Sequence, residues 1–126
     1  MDYKKSAKKA FELFKSFFDY DKNSDWLIDD EIERAKKGVT EFQFSFDIEN
    51  ENDELIKLNF SVTDDGTLNV YNVEIPKSAR GLGVITKTFG AIRGIKTVVV
   101  WNSINDDAWN AIFSKLGLID RMKYTS

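Results

Sequence analysis

The sequence predicts a mixed α+β fold, of α/β character in its second half, because three periodicities succeed one another along the chain. Apolar residues recur at helical spacing from Tyr3 to Phe18, and they alternate with polar residues at strand spacing over 42–48 and 56–62. They then flank a glycine-bearing turn that opens another helical pattern after Gly83. A single domain over residues 1–126 is expected, since 42% hydrophobic and 13% aromatic content are enough to build one core.

The first element follows from Tyr3, Ala7, Ala10, Phe11, Phe14, Phe17 and Phe18, which fall on one side of a helix over residues 3–18 and leave the lysines outward. A shorter helix is predicted from Asp29 to Lys37. It would bury Ile28, Ile32 and Ala35, with Asp29 as N-cap and Gly38 ending it. Between the two, Asp19, Asp21 and Asp25 resemble the spacing of a calcium loop. However, Ser24 stands where that loop needs glycine and Asp30 where it needs a bidentate glutamate, so a polar loop without metal is expected.

Strands come next. Phe42, Phe44, Phe46 and Ile48 alternate with polar residues, and Ile56, Leu58, Phe60 and Val62 repeat the pattern, so each strand buries one face. Asn50–Asp53 and Asp64-Asp65-Gly66 read as turns, which makes an antiparallel meander the economical topology. In the following strand Leu68 and Val70 share one phase while Tyr71, Val73 and Ile75 share the other. A slip of one residue turns every later side chain to the opposite face unless an extra residue is accommodated, so a β-bulge or splay is predicted at 70–73.

The stretch Pro76 to Ile85 has the layout of a phosphate-binding turn. Its glycines permit close backbone approach, and the opening turn of the next helix offers free N–H groups to an anion. Val84, Ile85, Thr88, Phe89, Ala91 and Ile92 form the inner side of that helix, which Gly94 closes. Val98-Val99-Val100-Trp101 then reads as a strand covered on both faces, parallel to its predecessor. A last helix is capped by Asn105, carries Asp106 and Asp107 in its first turn and turns Ala108, Ala111, Ile112 and Leu116 inward before Gly117. The tail from Leu118 to Tyr124 has room for one short strand.

Composition narrows the chemistry. With neither cysteine nor histidine, the chain has no disulfide, thiol nucleophile, Ser-His-Asp triad or ordinary zinc site. The formal charge of −3 is unevenly spread: Lys77, Arg80, Lys87, Arg93 and Lys96 give +5 in an acid-free span from Ile75 to Asn105, so the rest carries −8. A basic island around a glycine turn suits a compact polyphosphate. The acidic remainder disfavours broad adhesion to nucleic acid, and no aromatic platform is interleaved with Lys77, Arg80, Lys87 and Arg93. No apolar run approaches the roughly 18 residues of a membrane span, and no signal peptide is visible, so a cytoplasmic setting away from the membrane is expected.

The order of elements, with Arg80-Gly81-Leu82-Gly83-Val84-Ile85 and the segment ending Lys115-Leu116-Gly117-Leu118, resembles the GNAT superfamily of acetyl-CoA-dependent N-acetyltransferases over residues 3–120. In that family the turn reads Arg/Gln-x-x-Gly-x-Gly/Ala, and Ile85 stands here in place of the last small residue. The later motif, Asn-x-x-Ala-x-x-x-Tyr-x-Lys-x-Gly-Phe, is similar to the segment from Asp106 to Leu118. Phe113 takes the place of its tyrosine, Trp109 that of its alanine, and Asp106 or Asn105 that of its asparagine. The strand that opens the family's fold has no counterpart.

The resemblance implies acetyl-CoA as the cofactor. Arg80 with the turn residues Gly81, Leu82, Gly83, Val84 and Ile85 would hold the pyrophosphate, and the bulged strand, at Val73 and Ile75, would bond the pantetheine arm. It implies attack of an amine on the thioester, with Glu74 as the candidate base and Tyr71 as a proton relay. The acceptor is then a small-molecule or protein amine. The alternative is a catalytically degenerate GNAT-fold protein with a structural or protein-interaction role, resembling small virion-associated proteins of tailed phages, because a phenyl ring at 113 has no proton to give.

Overall fold

The computed structural model describes residues 3–20, 32–36 and 38–126. Helix α1 (Tyr3–Ser16) is followed by strands β1 (Ile32–Lys36), β2 (Val39–Glu49), β3 (Leu55–Thr63) and β4 (Thr67–Glu74). Then come a 3-10 turn at Lys77–Ala79, helix α2 (Val84–Gly90), β5 (Thr97–Trp101), helix α3 (Asp106–Lys115), a second 3-10 turn and β6 (Met122–Thr125). The six strands form one mixed sheet in the order β1-β2-β3-β4-β5-β6. It is antiparallel through β4 and parallel from β4 to β6.

The aromatic periodicity of α1 becomes its contact with the sheet. Phe11 and Phe14 are fully buried, and the Phe11 ring lies 5.5 Å from Phe44 and 6.4 Å from Phe60. Phe60 also stacks on Phe44 at 5.1 Å and meets Phe89 of α2 edge-on at 5.8 Å, so one ring joins sheet and two helices. Phe17 lies beyond the helix end, partly exposed beneath the Lys87 ammonium. Val98, Val99 and Val100 are all buried, as a strand inside a parallel ladder requires.

Two expectations are corrected. Ile32–Lys36 is not helical but an edge strand in register with β2, Ile32 opposite Gln43 and Lys36 opposite Val39. Gly38, at φ 79°, sits in the tight reversal between β1 and β2 rather than after a helix, and Ala35 is exposed rather than buried. Pairing along the free edge of β2 satisfies this segment's backbone groups and outweighs its weak helical pattern. The expected cap Asp29, the buried Ile28 and the Asp21–Asp30 part of the interhelical loop lie outside the described residues. In α3 the inner side is Trp109, Ile112, Phe113 and Leu116. Ala108 and Ala111 are exposed, because the fully buried Phe113 ring sets the rotation of the helix. The Asn105 cap stands as expected, its Oδ1 accepting from the Ala108 amide at 3.1 Å.

The β3–β4 turn is held by a carboxylate. Asp65 accepts hydrogen bonds from the Thr63 hydroxyl and from the Thr67 hydroxyl and amide, the last two at 3.0 and 3.2 Å. These bonds favour the charged form and hold its pKa below 3.8. The folded state therefore releases this proton more readily than the unfolded chain, so the contribution is complete above the unfolded pKa and disappears as pH falls through the lowered one. Thermal denaturation followed below pH 3.8 should show this loss, and Asp65→Asn should remove that part of the acid dependence.

No described helix is long and apolar enough to cross a membrane.

Candidate functional site

The site originates in a mismatch between neighbouring strands. Strand β4 pairs with β5 only from Thr67↔Thr97 to Val70↔Val100, after which β4 runs on to Glu74 while β5 ends at Trp101. At the same point the β3–β4 register shifts: Asn59 faces Asn72 and Phe60 faces Val70, which leaves Tyr71 as the extra residue. The phase slip in the sequence coincides with this bulge. Beyond Val70 the β5-facing edge of β4 has no pairing strand among the described residues. The opening is walled by the start of α2 on one side and by α3 on the other.

A cleft of about 800 Å³ results. Val73 and Glu74 of β4 and Ile75 just after it line it, together with Arg80, Gly81 and Gly83 of the turn, Val84 and Ile85 opening α2, and Trp109, Ile112 and Lys115 of α3. Eight of the ten candidate residues from the sequence therefore come together. Its walls are largely apolar, and two cations, Arg80 and Lys115, stand against one carboxylate, Glu74.

The turn has the conformation that its glycines permit. Gly81 and Gly83 have φ of 84° and 71°, and a Cβ at Gly81 would meet nothing within 4 Å. The Lys77–Ala79 turn uses the amides of Ala79 and Arg80, which bond to Pro76 and Lys77 carbonyls at 3.0 and 3.1 Å. The amides of Gly81, Gly83, Val84, Ile85 and Thr86 have no protein acceptor among the described residues. Ile85 packs partly buried against the core. These residues fit a diphosphate group: unengaged N–H groups, a guanidinium, and open space where side chains would otherwise intrude.

Two candidates lie elsewhere. Leu82 is 61% exposed and borders a second concavity of about 860 Å³ with Phe17, Phe18, Glu49, Glu51 and Glu54, whose acidic lining repels phosphate. Tyr71 does not line the cleft: its hydroxyl donates to Glu41 Oε1 at 2.9 Å, across the sheet from the helices. Burial and the Glu41 carboxylate raise its pKa despite the Ser61 hydroxyl, so the phenol stays protonated at neutral pH.

Phe113 is part of the core. Its ring lies 5.9 Å from Phe89 and 6.0 Å from Trp109, wholly buried, so the position that carries the tyrosine in the similar family motif is a packing position here. On the helix side of the sheet the Tyr124 hydroxyl lies 2.9 Å from the Asp106 carbonyl oxygen and 2.6 Å from Asn110 Oδ1. Burial and the charges of Asp106 and Asp107 raise its pKa.

Sequence reasoning missed Ile104, Trp109, Ile112 and Lys115 as lining residues. The wholly exposed Ile104, at 102%, stands at the cleft in the loop before α3. An apolar residue among Asn102, Ser103 and Asn105 was the available signal. No group of three metal-binding side chains occurs among the described residues. Comparison with known proteins found no matching family model, no matching curated protein and no matching solved structure.

Proposed function

We propose that this chain binds acetyl-CoA in the cleft beside β4 and transfers its acetyl group to an amine, as the resemblance to GNAT acetyltransferases implies. The carrying observation is the parting of β4 and β5 after Val70 and Val100, which opens a largely apolar cleft ending in Arg80 and the unengaged turn amides. Arg80 and the amides of Gly81 and Gly83–Ile85 hold the diphosphate, and Val73, Ile75, Ile112 and Trp109 flank the pantetheine arm. Bound there, the cofactor supplies an activated acyl thioester. Glu74, the single carboxylate lining the cleft, takes the proton of the attacking amine.

A second reading draws on Phe113. With that ring buried and Tyr71 outside the cleft, neither position supplies an acid for a departing thiolate, which favours a CoA-binding scaffold that has lost turnover.

One pair of measurements separates the readings. Coenzyme A at 100 times its Kd should stabilise the chain by about 2.7 kcal/mol, seen as a rise in Tm. No rise at millimolar ligand refutes both. Release of free thiol from acetyl-CoA with a polyamine or a lysine peptide, lowered about 10²–10⁴-fold by Glu74→Gln with the thermal shift retained, marks the enzyme. A shift without thiol release marks the scaffold.

A further inference from the structure

The second concavity, of about 860 Å³, is separated from the cleft by the Pro76–Leu82 segment: Ala79 lines both, Leu82 only this one, and Gly81 and Gly83 only the cleft. Its deepest lining is apolar. Phe18, Ile56, Pro76 and Ala79 are buried there, while Phe17, at 38%, and Leu82 stand exposed beside them. Two of the large apolar side chains left to solvent thus border one hollow, of a size that encloses a small molecule.

The charge around it has one sign. Asp19, Glu49, Glu51 and Glu54 line the hollow, and no lysine or arginine lines it among the described residues. The β2–β3 turn that carries the glutamates is held by Asn50, whose Oδ1 accepts from the Asn52 and Glu54 amides at 2.9 and 3.0 Å and whose Nδ2 donates to Glu54 Oε1 at 3.3 Å. Asp19, Glu49 and Glu51 are exposed and have no ion-pair partner among the described residues. Such a lining repels anions and attracts cations.

The arrangement also selects the kind of cation. A metal ion needs several carboxylates converging on one point, and no group of three side chains able to hold one occurs among the described residues. Dispersed carboxylates beside apolar surface match a cation whose charges are dispersed along an apolar stem. The fold already seats one alkylammonium here: Lys87 Nζ lies 5.8 Å from the Phe17 ring centroid. A peptide would bring amides that Phe18, Ile56, Pro76 and Ala79 side chains cannot satisfy, whereas a chain of methylenes brings none. We propose that this hollow binds a linear polyamine, its methylenes on Phe17, Phe18 and Leu82 and its ammonium groups spaced among Asp19, Glu49 and Glu51. Binding here does not depend on the coenzyme A reading.

The test is NMR titration of the full ¹⁵N-labelled chain with spermine. The amides of Phe18, Glu51, Asn52 and Leu82 should shift together and saturate with a Kd of about 1 mM or below, while the Trp101 indole N–H stays still. Raising salt from about 20 to about 150 mM should weaken binding. Magnesium chloride should not reproduce the shifts, and butylamine, with a single charge, should bind more weakly. Phe17→Leu keeps an apolar wall without a π face and should weaken spermine binding about two- to fivefold. Glu49→Gln combined with Glu51→Gln should weaken it about threefold or more, and the spectra report that each variant is folded. The proposal is overturned if spermine leaves these amides unmoved at about 10 mM, or if magnesium moves them equally. It is equally overturned if the folded variants bind as the parent does, or if tetralysine binds and spermine does not.

Discussion

Replacing Phe60 by alanine is expected to lower stability by about 3–5 kcal/mol, because the lost transfer energy of a buried phenyl ring adds to the cavity that remains. Few positions here join as much: the ring is fully buried and contacts Phe11 of α1, Phe44 of β2 and Phe89 of α2. Both helices lean on it from one side of the sheet, so relaxation cannot close the gap without moving one of them. A domain of this size is stable by roughly 5–15 kcal/mol, which makes the loss a large share of the whole. Calorimetry should show Tm lower by about 10–20 °C. A change of only a degree or two would mean that α1 and α2 are not anchored through this ring.

Gly83→Glu should abolish the coenzyme A-dependent rise in Tm. A Cβ at Gly83 meets only the Lys87 Cε at 3.9 Å, so the new side chain has room within the protein and brings its carboxylate to the turn proposed to hold the diphosphate. The φ of 71° adds a separate penalty, since a non-glycine residue in the left-handed region costs about 1–3 kcal/mol. The ligand-free variant will therefore melt lower, and the quantity to compare is the shift on adding ligand. Gly83→Asn controls for strain, because asparagine tolerates this backbone and brings no charge, so its shift should survive. An undiminished shift in Gly83→Glu would place the ligand elsewhere.

Both of these positions were legible in the sequence. Phe60 belongs to an alternation that has one physical solution, a strand with a buried face, and Gly83 to a turn whose glycines take the positive φ of a sharp reversal. The bulge was legible for the same reason: a break in period two at Val70-Tyr71 has to be absorbed by the backbone. Asn105 was legible because capping is a contact between neighbours in sequence.

The misses have the opposite character. Ile32-Glu33-Arg34-Ala35-Lys36 carries almost no periodic signal, and its state depends on β2 offering an unpaired edge. The rotation of α3 was misjudged because small alanines fit either side, while the slot formed by Phe89 and Trp109 chose Phe113. Glu41, Ser61, Tyr71 and Trp101 lie on four different stretches of chain, and nothing local joins them.

The sequence by itself determined the mixed class, the strand faces, the bulge and the glycine turn, since each is an interaction among residues within a few positions, where spacing and chemistry suffice. Only the tertiary structure decided that the pairing of β4 with β5 ends at Val70 and Val100, that Ile104, Trp109, Ile112 and Lys115 complete the cleft, and that Tyr71 lies across the sheet from the helices, beside Trp101. Those outcomes depend on which distant side chains compete for the same core volume, and that competition is settled only when the whole chain packs.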